Sequence, residues 1–466
     1  MVLSRRTKKP NEYERKRLEN LKRNAEKLAS LNVHTKATQF LASSNLQRSR
    51  QFYSEKKPKI QKIPPERKSL RARGIPPEIS GSESPGSSES PEQQTPTNNL
   101  DSSLRRCLGP ISMSDVFIGI KSKSHYTGLV DKISGFSKNA QSVEGNDSLP
   151  LNLESFQLKP ENIVRVVPGD ATLMRFLPCV DAKVIVVGNR SGHVGFWDVD
   201  KEKRDGVYCY QPHIGCISGI SVQPSSLSKI YTSCDGGFIR MMDAEKEVFN
   251  LVYSSDQPIN YLSHHPTNVN YLYFGEGHGG LSTWDNRGGR SAIWNLHTRC
   301  ITSIDFNSKN PYIMATSSID GDACIWDLRS MDACKPKTVK IISHRNGVYS
   351  ACFSPSGSHL AIASAGNALS ILGGVEFDDY SLMCHDHKAG DMFSFRAIWG
   401  WDDSHVLIGN REGGIDVMSS ALGQKIATLE SPCLSTILHQ LDAHPYQAGV
   451  LAGSAGINQA LMWTSC

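Results

Sequence analysis

From about residue 151 the chain is written in short apolar runs rich in β-branched and aromatic residues, broken every few positions by Gly, Asp or Asn. No long apolar stripe at helical spacing interrupts them. The texture predicts strands joined by tight turns. The runs also repeat. HVGFWDV, FIRMMDA, LSTWDNR, CIWDLR, ALSILGG, GIDVMSS and QALMWTS place Trp197, Met242, Trp284, Trp326, Leu372, Met418 and Trp463 at one common position. The steps between those residues are 45, 42, 42, 46, 46 and 45. Seven such units fill residues 151–466, each long enough for four short strands.

A period of this length with a Trp-Asp terminus resembles the WD-repeat β-propellers, and the resemblance covers about residues 160–466. It implies an all-β fold, a seven-bladed WD-repeat β-propeller. The punctuation agrees. His213, His297 and His344 open units, and tight turns fall at Asp235-Gly236, Asp320-Gly321 and Gly366-Asn367. In WD repeats a His, a strand Ser or Thr, a turn Asp and the Trp form a buried hydrogen-bond chain. His297, Thr316 or Ser318, Asp320 and Trp326 match it, so these residues of catalytic type are expected to be structural. The last unit stops three residues after Trp463. Its fourth strand is expected from Ile163–Val167, which would close the ring and leave no unpaired edge.

The N-terminal third has a different texture. Leu18, Leu21, Ala25 and Leu28 predict a narrow-striped helix over 11–31, either solvated or docked on a partner. Residues 54–80 are Lys/Arg/Pro-rich, and 80–100 are rich in Ser, Pro, Glu, Gln and Thr. The expected organisation is a basic tail over 1–80, a disordered Ser/Pro-rich linker over 81–150 and the propeller over 151–466. The net charge of +5 hides an asymmetry. Residues 1–80 hold 21 Lys/Arg against 7 Asp/Glu, which leaves the remainder at −9. A basic tail on an acidic body points to an anionic partner or an import receptor. No apolar run reaches the length of a membrane span, and the first residues lack a secretory h-region, so neither is expected. The 12 cysteines include no C-x-x-C pair and read as free thiols of a reducing compartment.

Catalytic motifs are missing: no P-loop, G-x-S-x-G or H-E-x-x-H occurs. His385-Asp386-His387 has no third ligand beside it. No enzyme activity, metal or cofactor is therefore expected. One pattern stands out, W-D-x-R in two adjacent units: Trp284, Asp285 and Arg287, then Trp326, Asp327 and Arg329. Two guanidiniums one blade apart suit bidentate bonding to carboxylates or carbonyls. The doublet resembles the docking motif of cullin-4 RING ubiquitin-ligase substrate receptors. That implies docking on the ligase's triple-propeller adaptor, the large damaged-DNA-binding subunit.

Four further stretches, 12–24, 67–74, 234–249 and 387–399, resemble the WD-repeat protein 76 family of nuclear DNA-damage-binding proteins, related to the small subunit of the UV-damaged-DNA-binding complex. The resemblance implies a nuclear protein that binds DNA or chromatin, with histones as further candidates. Phosphate contacts need cationic donors, and Arg190, Arg240, Arg299, Arg345, Lys388, Arg396 and Arg411 are placed on the loops of one face. Met392 and Phe393 are the candidate wedge between unstacked bases. A non-catalytic chromatin or replication scaffold without any ligase role is the alternative. The tail generates a prediction of its own. Arg5-Arg6-Thr7-Lys8-Lys9 and Lys56-Lys57-Pro58-Lys59 should drive nuclear import. A fluorescent fusion lacking residues 1–80 should spread into the cytoplasm; one that stays as nuclear as the intact chain contradicts the assignment.

Overall fold

A computed structural model describes residues 22–23, 108–119, 123–136, 152–201, 205–224, 226–331, 336–385, 395–434, 436–455 and 459–465. The chain divides into two units, Met1–Gln93 and Gln94–Cys466. Of the first unit only Lys22 and Arg23 are described, both helical and exposed. The rest of the expected helix over 11–31, and both basic clusters, lie outside the described residues.

The second unit contains seven antiparallel sheets. Their innermost strands are Ala171–Phe176, Ile217–Gln223, Ile259–His264, Ile301–Phe306, Val348–Phe353, Ile398–Trp399 and Leu438–Ala443. Each innermost strand packs against the next blade, and the seventh returns to the first, which makes a closed ring. The expected seven-bladed propeller is the observed fold.

Blade 4 shows how the sequence builds a unit. Ile301–Phe306, Ile313–Ser318, Asp322–Asp327 and Thr338–Ser343 pair in chain order. The turn between its second and third strands holds Gly321 at φ 102, the left-handed region where a side chain is strained. The innermost strand departs from simple alternation, because its register shifts between Ile301 and Ser303. The same shift recurs between Ala171 and Leu173, Ile217 and Gly219, Ile259 and Tyr261, Val348 and Ser350, and Leu438 and Gln440. A bulge at one fixed place in six inner strands leaves one residue in each outside the ladder. Thr302 is that residue in blade 4, and its hydroxyl donates to the Val348 carbonyl of blade 5 at 2.7 Å.

The buried hydrogen-bond chain of this unit resolves the choice between Thr316 and Ser318. His297 Nε2 lies 2.8 Å from Thr316 Oγ1, and Trp326 Nε1–H donates to the same oxygen at 2.8 Å. His297 Nδ1 lies 3.2 Å from Asp320 Oδ2. A neutral imidazole that donates from Nδ1 to the carboxylate and accepts the Thr316 proton at Nε2 satisfies all three contacts. Burial lowers the His297 pKa and favours that neutral form. Blade 2 keeps half of the arrangement. His213 Nε2 is 2.9 Å from Thr232 Oγ1, with Met242 in place of the Trp.

Ring closure uses two short segments. Ile163–Val164 pairs antiparallel with Leu461 and Ala460, as expected, and Phe156–Gln157 pairs with Ser465 and Thr464. Val166 and Val167 are buried but form no strand. An ion pair adds to the seam, from Arg175 of blade 1 to Asp442 of blade 7 at 3.0 Å.

The expected linker over 81–150 needs correction at 108–119 and 123–136, and its other residues lie outside the described ones. Ile111–Ser112 adds a fifth strand to blade 2, opposite Phe249 and Val248, and Phe117–Ile118 adds one to blade 1, opposite Tyr210 and Cys209. A helix, Lys123–Phe136, follows. Ile111, Met113, Val116, Phe117, Leu129, Val130 and Ile133 join Tyr210 and Phe249 in one buried cluster. Burial of that many apolar side chains outweighs the cost of ordering the strap. Lys132 pins it to Asp198, whose side chain is fully buried.

Trp326 tests the blade assignment. Trp326→Ala removes a 3% exposed indole and its bond to Thr316. Chemical denaturation should report a loss of about 3–5 kcal/mol; a loss below about 1 kcal/mol contradicts the packing described.

Candidate nucleic-acid and protein interfaces

Antiparallel pairing decides which residues share an end of the ring. The turn between second and third strands emerges beside the connection from one blade to the next. The turns between first and second and between third and fourth strands emerge at the opposite end. Arg190 and Arg411 lie on second-to-third turns, and Arg299 and Arg345 lie on blade-to-blade connections. All four are exposed and share one end, here the upper face. Arg287 and Arg329 follow third strands and lie at the lower end.

The two W-D-x-R units have the same geometry. Arg287 donates from Nε to Asp285 Oδ1 at 3.1 Å and from Nη2 to Oδ2 at 2.9 Å. Arg329 donates to Asp327 likewise, at 3.0 and 2.7 Å. The backbone N–H of each Arg also bonds its own Asp Oδ1. The side chains remain 66% and 59% exposed. The Arg287 fork holds the Asp285 carboxyl down at about 2, and Arg329 lowers Asp327 in the same way. Arg329 also lies over the Tyr312 ring, 5.3 Å from its centroid. Each guanidinium therefore presents its remaining N–H edge from a fixed, internally paired position.

The strand-terminal Asp is a cation socket elsewhere too. In blade 1 Asp198 takes Lys132 of the strap, and in blade 2 Asp243 takes Lys246 at 3.6 Å. In blade 2 and in the two W-D-x-R blades the cation comes from the turn that follows the Asp, and in blade 1 from the strap.

Two expected phosphate contacts are displaced. Arg240 is 0% exposed, because strand Phe238–Asp243 turns it inward, and its Nη1 donates to the Gly109 carbonyl of the strap at 3.0 Å. It is a core arginine that ties strap to blade. Arg396 precedes Ile398–Trp399 and points away from the outer face of the loops. Its Nη2 donates to the Thr302 carbonyl at 2.9 Å, and its guanidinium covers Tyr261, 5.0 Å from the ring centroid. Lys388, Met392 and Phe393 lie outside the described residues.

Arg396 belongs to a cluster that crosses the ring. Tyr261 comes from blade 3, Arg396 enters blade 6, and Thr302 is the bulged residue of blade 4. Arg175 of blade 1 donates from Nη2 to Tyr261 Oη at 3.1 Å and from Nη1 to Asp442 of blade 7. Burial opposes the Arg175 charge, yet Tyr261 and Asp442 outweigh it and raise its pKa. Asp442 Oδ2 accepts the Phe176 N–H of blade 1 at 2.7 Å, and Asp305 Oδ2 accepts the Phe353 N–H of blade 5 at 2.7 Å. Arg175, Asp305 and Asp442 each occupy the next-to-last place of an inner strand. The two carboxylates thus join neighbouring blades by the same bond. Among the described residues no group of three or more His, Cys, Asp or Glu is placed to hold a metal ion. None of the described helices is long and apolar enough to cross a membrane.

Residues 289–327 and 335–371 match the family model for the WD domain, G-beta repeat. Over 412 residues the chain is 25% identical to WD repeat-containing protein 76 of Xenopus laevis, covering 84% of this chain and 69% of that one. It is 24% identical over 461 residues to DNA damage-binding protein CMR1 of Coccidioides immitis, covering 86% of each. With cmr1 of Neurospora crassa it shares 24% over 339 residues, 63% of this chain and 64% of that one. The chain is a relative of WD repeat-containing protein 76 and of the CMR1 proteins. The resemblance stated from its motifs is the one the comparisons return.

In this WD-repeat 76 relative the cross-ring cluster was the feature that sequence reading missed. A usable signal existed: a single ionisable residue near the end of an otherwise apolar inner strand, as in ATLMRF, ITSIDF and LHQLDA. Asp305 supplies a test. Burial, offset by the Phe353 N–H, pushes its carboxyl up to about 6. In the unfolded chain it titrates near 4. Between those values the fold holds the extra proton. Its contribution to stability is therefore full below about pH 4 and is lost as pH rises through about 6. Asp305→Asn keeps an oxygen for Phe353 and has no such slope. Relative to wild type it should gain about 2–3 kcal/mol between pH 4 and pH 7. Equal pH profiles of unfolding free energy for the two proteins would show that the carboxyl is not destabilised.

Proposed function

We propose that this chain is a nuclear, non-catalytic DNA- or chromatin-binding protein of the DNA damage response. In this reading it acts as a substrate receptor docked on a cullin-4 RING ligase adaptor. Its relatives carry DNA damage-binding in their names. The carrying observation is the division between the two ends of the ring. Exposed Arg190, Arg299, Arg345 and Arg411 lie at one end, and the paired Arg287 and Arg329 forks lie at the other. The upper arginines would hold phosphates as charges with little base preference. Histones are a further ligand of the same assembly. The forks would meet acceptors of a protein surface through their outward N–H edges. The scaffold alternative draws support from the internal pairing of each fork, which leaves both arginines satisfied without a partner.

Two variant sets separate the roles. Arg287→Glu/Arg329→Glu should lose the ligase adaptor on affinity purification and keep DNA. Conversion of Arg190, Arg299, Arg345 and Arg411 to Glu should weaken duplex binding at low salt and keep the adaptor. The DNA arm requires both the full chain and residues 94–466, because the basic tail can bind duplex by itself. Unchanged adaptor recovery by the fork variant favours the scaffold. Full duplex affinity in the tail alone removes the upper-face reading.

A further inference from the structure

Arg396 stands apart from the other charged groups of the cross-ring cluster. Arg175 has Asp442 as its counter-charge, and the forks have their own aspartates. Among the described residues no carboxylate forms an ion pair with Arg396. Its neighbours are a carbonyl, Thr302 O, and an aromatic face, Tyr261. Thr302 offers that carbonyl because the bulge between Ile301 and Ser303 takes it out of the ladder. The Arg396 Nε–H is buried and makes no hydrogen bond. Guanidinium does not shed its proton, so the charge remains in place inside the ring.

Arg396 is partly buried, and such a group is costly to the extent that water cannot reach it, unless a negative charge meets it. The cation–π contact offsets only part of that cost. A second guanidinium makes it worse. Arg175 reaches the hydroxyl of the same Tyr261, at 3.1 Å, and its charge works with burial to lower the Arg396 pKa. Two like charges on one tyrosine repel, and an anion beside Arg396 would offset the one that lacks a carboxylate. Asp305 does not fill this role: it is held on the Phe353 N–H of the next blade.

We propose that the centre of the propeller seats an oxyanion of the phosphate type, held by Arg396 and Arg175 beside Tyr261. Arg396 supplies charge and an unbonded N–H to a tetrahedral oxyanion, and Arg175, whose Nη atoms are held by Asp442 and Tyr261, supplies charge. The site goes beyond the duplex-binding surface proposed above, which uses other arginines at the mouth of the ring. The same chemistry has two sources, free phosphate or the terminal phosphate of a nucleic-acid strand.

The test uses the full chain and inorganic phosphate, titrated against chloride at constant ionic strength, with thermal unfolding as the readout. A ligand that binds only the fold raises the midpoint as its concentration rises. Wild type and Lys309→Gln, which alters an exposed lysine outside the proposed DNA-binding set, should both show the rise. Arg396→Met should weaken phosphate binding by about tenfold or more. Without phosphate, Arg396→Met should melt no lower than wild type, since it removes an uncompensated charge. If that variant does not fold, Arg396→Lys keeps the charge and loses the fork, and should also weaken binding. A 5′-phosphorylated oligonucleotide that competes with phosphate, where the unphosphorylated one does not, identifies the strand end as the source. Competition by neither identifies the free ion. No phosphate-dependent rise in wild type overturns the proposal, as does an equal rise in the folded Arg396 variants, which would place the binding on the tail or the surface.

Discussion

Everything else in this fold depends on pairing the last strand with the residues that precede the first blade. Gln459–Ser465 would otherwise expose a row of backbone donors and acceptors along its outer edge. Ile163–Val164 and Phe156–Gln157 cover that edge in two pieces. Neither piece exceeds two residues, so backbone pairing alone would be weak. The seam is reinforced by side chains: Val164, Val166 and Val167 pack with Trp197 of blade 1 and Ala460 and Met462 of blade 7. Arg175 and Asp442 join the same two blades nearer the axis.

A single backbone position is reused for different purposes around the ring. In the four blades whose third strand ends in Asp, that Asp faces a cation, but the cation's origin changes. In blade 1 it is Lys132, which fastens the strap, so the socket serves assembly of the chain with itself. In blades 3 and 4 it is the arginine two residues on, so the socket displays a guanidinium at the surface. The polarity of the lower end is thus set by which partner each Asp finds, with no change in the blade itself.

The repeat made the architecture readable. Seven units at nearly constant spacing report one another, and Trp326 or its equivalent marks the same strand each time. The buried chain through His297, Asp320 and Trp326 was legible because its members lie within 30 residues of one another. Thr316 and Ser318 could not be separated from sequence, since both lie on one strand face two residues apart. The strap was obscured because its strands are two residues long and follow a Ser/Pro-rich stretch. Arg240 was misplaced because a charged residue in a strand usually faces solvent, whereas here Gly109 of the strap meets it. The cross-ring cluster was hidden for the opposite reason to the repeat. Arg175, Tyr261, Arg396 and Asp442 come from four blades, and no local pattern records their meeting.

The closing strand also has a consequence in time. Val164 pairs with Ala460, so roughly 300 residues must leave the ribosome before its partner exists. At about 5–20 residues per second that interval is on the order of 15–60 s. Throughout it the first blade lacks its neighbour on one side and offers apolar surface to any other chain. The strap shortens part of this exposure. Ile111–Ser112 and Phe117–Ile118 are made first, and their partner strands are complete once Ser254 has emerged. Blades 1 and 2 can therefore have covered outer edges while the ring is still open. A strap that adds strands to the first blades, rather than the last, protects the part of the nascent chain that waits longest.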